Sequence, residues 1–391
     1  MTDAPHTDHT PHRPGSKPVP PADGGAGARP TPPVRSAREA PGSGPKVSAE
    51  AFSTEIRELI RAAGGEPEGR HGRNVRDVLL TGLRMLRDGS DLGEVKLVNR
   101  ATAELRHALS VFRPYRDTPK ISIYGSARTP EDHVDYRQAV ELARDLASDG
   151  WMVITGAGDG IMRAGHGGAG RAASFGVSIR LPFETNANDL IVGDPKLVSF
   201  KYFFTRKLVF MWMSHAIALL PGGFGTMDEG FEALTLVQTG KAPMVPIVMV
   251  DAPGSGEDGF WARWDRFIRG SLLGNGWISP EDTALYFITD SPAAAADHVR
   301  RFYLNYHSQR FVGDRLVLRI REELPSRQLD ALNADFPELV AEGRIEQSGP
   351  LEGEGEGEAP GLLRLSWVST KRANGRLRRL IDQVNDAAAG E

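Results

Sequence analysis

The chain has 391 residues, of which 40% are hydrophobic and 25% charged, and its formal net charge is −4. This balance belongs to a globular protein and gives no electrostatic case for nucleic acid or an anionic membrane as partner. Cysteine is absent, which removes disulfides, thiolate nucleophiles and cysteine-held zinc or iron–sulfur centres. No apolar run approaches a membrane span and no signal-peptide core follows the first residues, so the expected setting is the cytoplasm.

Residues 1–46 hold eleven of the 27 prolines and almost no large apolar side chains. Such a segment cannot bury enough surface to offset its ordering entropy, and its composition predicts disorder. Its His6, His9 and His12 read as solvated side chains rather than metal ligands. From 47 to 118 the apolar spacing turns helical in AFSTEIRELIRAA, NVRDVLLTGLRMLRDG and VNRATAELRHALSVF, with a helix start at Ser53. These helices are expected to cover or pair the main domain.

Between 119 and 306, short apolar runs alternate with helical stretches. KISIY, WMVIT, FGVSIRLP, HAIALL, PIVMVD and ALYFITD mark the strands, and FKYFFTRKLVFMWM reads as a helix directly after the third. Repeated strand–helix units predict an α/β fold: a Rossmann-like doubly wound parallel sheet whose ligands sit beyond the carboxyl ends of the strands. Residues 307–391 read as a small α+β extension of β-α-β-β-α order. The acidic glycine run at 351–360, LEGEGEGEAP, is expected to be a flexible surface loop. Lys371, Arg372, Arg376, Arg378 and Arg379 read as a solvated helix face.

Three glycine-bearing loops fall at strand ends and together predict a site. They carry Gly125 and Ser126, then Gly156, Gly158 and Gly160, and then PGGFGT at 221–226. A glycine turn running into a helix leaves N–H groups free at the positive end of the helix dipole, which suits a phosphate. No lysine–serine or lysine–threonine pair follows the last loop's glycines, and the dinucleotide fingerprint is incomplete. A mononucleotide is therefore expected, with its phosphate on one loop and its sugar and base near the others.

Two readings of Glu229 stand side by side. Three residues after Thr226 it completes a capping box. Beside a ribose, its carboxylate could stabilise an oxocarbenium ion or orient water against C1′. A helix start favours the anion over the acid. Arg206 and Lys207 lie among Phe203, Phe204, Leu208, Val209 and Phe210, and a buried arginine needs an anion such as the phosphate or Glu229.

PGGFGTMDE with the upstream TRK resembles the LOG ("Lonely guy") family of nucleoside 5′-monophosphate phosphoribohydrolases, which includes cytokinin-activating enzymes. The similarity spans about 119 to 306, taking in IYGSAR, GAGDGIM and LPFETNAND, and is greatest to longer bacterial members. It implies Arg206 and Glu229 as catalytic residues. It implies nucleotide contacts from Gly222, Gly223, Phe224, Gly225, Thr226, Met227 and Asp228, with Thr235, and sites near the interface of a homodimer that sometimes assembles further. Lys207 falls on the family's arginine–lysine pair, and Asn186 or Asn188 is a candidate contact. The expected reaction converts a purine nucleoside 5′-monophosphate, AMP or an N6-substituted analogue, to free base and ribose 5-phosphate, without metal or cofactor. No residue stands out to protonate the leaving base. Short plant-type members carry a glutamate where TNAND stands, and both terminal regions lie outside the similarity. Three rivals remain. One is a nucleotide carrier or sensor without hydrolysis, and one is a pyridoxal-phosphate lysine decarboxylase, for which Lys207 is a poor Schiff-base candidate. The third is a structural protein whose terminal regions recruit partners.

Overall fold

The computed structural model describes residues 52–181, 187–354 and 359–389. The tail 1–46 with its three histidines, Asn186, and 355–358 of the acidic run lie outside the described residues. The chain divides into two compact units, one through Val95 and one from Lys96 onward. In the first, α1 (Ser53–Ala62) and α2 (Arg70–Arg87) share a small core of Ile56, Ile60 and Leu80. The long α3 (Leu92–Phe112) begins there.

The second unit alternates strands and helices in the expected way. In chain order they are β1 (Lys120–Tyr124), α4 (Val134–Ser148), β2 (Met152–Thr155), α5 (Ile161–Ala169), β3 (Ser174–Ile179), β4 (Leu197–Phe200), α6 (Phe203–Met213) and β5 (Ala216–Leu219). There follow α7 (Phe224–Gln238), β6 (Ile247–Val250), α8 (Phe260–Phe267), β7 (Phe287–Thr289) and α9 (Pro292–Phe302). The seven strands form one parallel sheet in the order β4-β3-β2-β1-β5-β6-β7.

Alternation along the strands feeds two cores. Ile121 and Ile123 pack with Leu142, Ala164 and Val299 on the α4, α5 and α9 side. Tyr124, Ile154, Phe175 and Leu219 pack with Phe210, Ala233 and Trp261 on the α6, α7 and α8 side. Strands covered on both faces must be apolar throughout, which is why they were legible as runs. Each such side chain removed from water contributes about 1.5–3 kcal/mol.

The C-terminal elements are β8 (Tyr306–Val312), β9 (Arg315–Ile320), α10 (Ser326–Asp335), β10 (Val340–Ser348), β11 (Leu363–Ser369) and α11 (Asn374–Ala389). Their antiparallel sheet has the order β10-β11-β9-β8. Trp367, Leu377 and Leu380 belong to the same apolar cluster as Ala233 and Trp261. Asn374 Nδ2 also donates to the Gln238 carbonyl at 2.8 Å.

Four expectations change. An unread strand, β4, ends on the first residue of the stretch read as helix, so α6 starts at Phe203; four residues of half-buried edge strand carry too little pattern to show beside an aromatic helix. β8 adds a first strand to the extension, hidden because YHSQRFV is polar and buries only Tyr306. Glu354, in the run expected to be flexible surface, is buried and pairs with Arg364 at 2.8 Å and Arg319 at 3.0 Å. Arg378, expected on a solvated face, is buried against Asp382 and His298. Among the described residues no helix is long and apolar enough to cross a membrane.

Candidate active site

Strand order reverses between β1 and β5, and the loops leaving that point open a cleft of about 1010 Å³. Its wall takes Gly125 and Ser126 from the loop after β1, Gly156 and Gly158 from the loop after β2, and Arg206 from α6. Gly223, Phe224, Gly225, Thr226, Asp228 and Glu229 come from the start of α7. The sequence-based set is thus largely brought together.

The glycines divide into two kinds. A Cβ on Gly125 would lie 2.6 Å from Ile161 Cγ1, one on Gly158 2.6 Å from Met162 Cε, and one on Gly156 2.5 Å from Arg206 Nη2. Gly160 has φ +59°, and a Cβ there would lie 2.3 Å from the Ser126 carbonyl oxygen. Gly222 is closed off by Thr226, whose Oγ1 would be 2.1 Å away. These five glycines let protein pack on protein. Gly223 and Gly225 have nothing within 4 Å of a Cβ and face open cleft.

α7 starts at Phe224, with Gly223 as its N-cap and no side-chain cap. The capping-box reading of Thr226 and Glu229 is therefore corrected: both lie inside the helix, and Glu229 sits in its second turn. The first N–H groups of the helix, at Phe224, Gly225 and Thr226, remain available to a ligand at the positive end of the dipole.

Burial pushes the Glu229 carboxyl up to about 7, against the pull of Arg206 and then Lys207. The expected simple anion is also corrected, because desolvation outweighs the helix dipole and the cations. Near neutrality this carboxyl holds or releases a proton with equal ease, which suits general acid–base work.

Arg206 crosses the floor of the cleft. Its Nε donates to the Val177 carbonyl at 2.9 Å, and its guanidinium lies 5.2 Å from the Phe210 ring centroid, one helical turn on. Lys207 does not reach the cleft wall. It pairs with Asp228 at 2.8 Å and Glu232 at 3.0 Å, tying α6 to α7. Burial works against its charge, but the two acids raise its pKa. The apolar residues expected to bury this pair turn out differently: Phe203, Phe204 and Leu208 are exposed, and Val209 and Phe210 make the core contact.

The remaining expected contacts stand off the wall. Met227 packs against the core, and Thr235 is exposed at the start of the fourth turn of α7. Asn188 is buried behind the second loop, where its Nδ2 donates to the Gly158 carbonyl at 2.8 Å.

Three titratable wall residues escaped the sequence reading. Arg128 and Arg180 line the cleft, and their side chains make no ion pair or hydrogen bond with described residues. Arg128 lay within the quoted IYGSAR, where only the glycine and serine were singled out. Tyr124, buried at the end of β1, has a hydroxyl pKa raised by burial and then by Glu229, so it keeps its proton.

Glycine loops at the switch point of a parallel sheet, an open helix end and a near-neutral carboxyl make an α/β site whose chemistry suits a small phosphorylated ligand. The family described as "Possible lysine decarboxylase" matches residues 158–299. The chain is 31% identical over 163 residues to the cytokinin riboside 5′-monophosphate phosphoribohydrolase of Mycobacterium tuberculosis (strain ATCC 25618 / H37Rv), a match covering 39% of this chain and 79% of that protein. Solved structures similar to it include the molybdenum cofactor carrier protein of Chlamydomonas reinhardtii, at TM-score 0.32 and 21% identity, covering 47% of this chain and 97% of that one. Another is the molybdenum cofactor binding protein of Rippkaea orientalis, at TM-score 0.32 and 20% identity, covering 47% and 96%. The chain belongs to the LOG family.

Proposed function

We propose that the protein hydrolyses the N-glycosidic bond of a purine nucleoside 5′-monophosphate, AMP or a cytokinin riboside 5′-monophosphate, giving free base and ribose 5-phosphate in the cytoplasm. The observation that carries this is Glu229: a carboxyl raised to about 7, on the wall of the same cleft as the open end of α7. A phosphate on the amides of Phe224, Gly225 and Thr226 places the sugar one to two helical turns from that end, beside Glu229. There the carboxylate aligns water against C1′ or stabilises the developing oxocarbenium ion. Arg206 steadies the Glu229 charge from the cleft floor. The curated relative's activity supports the same reaction class.

The working unit is proposed to be a homodimer. Phe204, Leu208 and Trp212 recur every four residues along α6 and are exposed, Trp212 by 74%. Phe231 and Thr235 extend an exposed strip along α7, and Phe224 is 95% exposed at its start. So much apolar surface beside a cleft favours a second copy. Thr235 then serves the interface rather than its own cleft.

The deciding experiment is release of ribose 5-phosphate from a panel of nucleotides by wild type and Glu229→Gln. Turnover by the variant is expected to fall by about 10²–10⁴-fold, with AMP binding retained. Wild-type-like adenine release by the variant rejects the role of Glu229. Binding of nucleotide without release of any base by the wild type establishes the carrier or sensor instead.

A further inference from the structure

His166, on α5, is fully buried and is not itself part of the cleft wall, yet it stands behind the loop after β2. Its Nε2 lies 3.0 Å from the Phe175 carbonyl oxygen, which can only accept, so Nε2 carries the proton. That single N–H is shared with Thr155 Oγ1, 2.9 Å away, as a three-centre bond. Burial lowers the ring's pKa, so the ring is neutral and Nδ1 is an acceptor. A bare Nδ1 selects the amide nitrogen of Asn188, at 3.2 Å, over its oxygen.

With one N–H on His166, the other N–H of Asn188 Nδ2 goes to the carbonyl oxygen of Gly158, at 2.8 Å. The Asn188 backbone N–H donates to the Ala157 oxygen, at 2.8 Å. From the other side Thr155 Oγ1 accepts from Ala157 N at 3.0 Å. Both backbone groups of Ala157 are therefore held by residues that His166 holds. Ala157 needs such support, because its φ is +64°, a left-handed conformation costing a residue with a Cβ about 1–2 kcal/mol.

The carbonyl and N–H of a trans peptide point in opposite directions. With the Ala157 and Gly158 carbonyls drawn to Asn188, the N–H groups of Gly158 and Asp159 turn away from it. Neither N–H meets an acceptor among the described residues, and Gly156, Ala157 and Gly158 form part of the cleft wall.

We propose, resting on the nucleotide reading of the cleft, that His166 is a positioning residue: through Asn188 and Thr155 it holds the 156–159 loop so that two N–H donors are presented to the sugar oxygens of the bound nucleotide. His166→Phe keeps a ring but loses both hydrogen bonds. Asn188→Asp keeps size but loses the donor. The double variant Ala157→Gly/His166→Phe supplies a residue that adopts positive φ freely.

AMP affinity by calorimetry, AMP turnover and melting temperature are measured for all three and for the wild type. Both single variants are expected to raise Kd and KM for AMP about 10-fold, as two lost hydrogen bonds would, with a smaller change in kcat. The added glycine is expected to recover about 5-fold or more of the loss in His166→Phe. A purely structural histidine would lower the melting temperature, leave Kd unchanged in the folded protein and gain nothing from glycine; that pattern overturns the proposal. If His166→Phe does not fold, Asn188→Asp decides, and an unchanged Kd in it is equally fatal. Wild-type protein that binds AMP without turning it over overturns the hydrolase and leaves the loop tested by Kd, whereas failure to bind AMP overturns both.

Discussion

In the proposed reaction Glu229 is the residue on which the chemistry turns, and its proton is the quantity to follow. With the carboxyl at about 7 and the ionised form doing the work, kcat/KM for AMP rises with pH through about 7 and then levels, in initial rates taken across neutrality. Stability runs the other way. The folded-state pKa lies above the ordinary 4.5, so the contribution is fully present below 4.5 and is lost as pH rises through about 7. Glu229→Gln is therefore expected to melt above wild type at pH 8, by about 2–4 °C for each kcal/mol recovered, and to match it in melting scans at pH 4. Arg128 offers a second test at this scale. Arg206 and Lys207 have partners within the protein, whereas Arg128 and Arg180 have none among the described residues. Arg128→Ala is expected to raise KM for AMP by about 10-fold or more and to leave that for adenosine unmoved, because only the nucleotide carries the phosphate. The place of Glu229 on the cleft wall was legible in its motif, but its proton affinity was not. A motif gives the carboxyl and the helix dipole; the desolvation that overrides them arises only when the chain is folded around it.

At the scale of elements, the start of α7 decides how the site is presented. Gly222 and Gly225 look alike in PGGFGT and do different things. A Cβ on Gly222 would meet Thr226 Oγ1 at 2.1 Å and Cβ at 2.8 Å, whereas one on Gly225 would meet nothing. Gly222→Ala is expected to cost about 1–3 kcal/mol in denaturant unfolding. Gly225→Ala is expected to cost nothing or to stabilise slightly, since alanine is the better helix former. Equal losses in the two would show that the loop is built differently. Buried Glu104 shows similar division of labour, as α3 reaches to the head of α6 and accepts from Lys201 N and Thr205 Oγ1, each at 2.8 Å. Strands β1, β2, β5 and β6 were readable because two-sided burial makes them continuous apolar runs. β4 and β8 were not, because half-polar edge strands are specified by their partners rather than by themselves.

For the whole molecule, the helix FFTRKLVFMWM carries the main surprise. So apolar a segment reads as buried on all sides, yet Phe204, Leu208 and Trp212 face outward. Leu208→Asp is expected to convert a dimer to a monomer in sedimentation velocity, and a wild type already monomeric at working concentration would remove the interface. The C-terminal elements share a core with the parallel sheet through Trp367, Leu377 and Leu380, so cutting the chain at 311 would uncover apolar surface rather than free a module.

The chain's own residues determined the alternation of the doubly covered strands with their helices, the three glycine loops and the family likeness, because these are local: periodicity, turn chemistry and contiguous motif. Only the folded arrangement decided where α7 begins, which side of α6 is left bare, that Asn188 lies between His166 and the loop, and that burial lifts the Glu229 carboxyl to about 7. Those features depend on burial, and burial is the sum of contacts between segments that lie far apart in the chain.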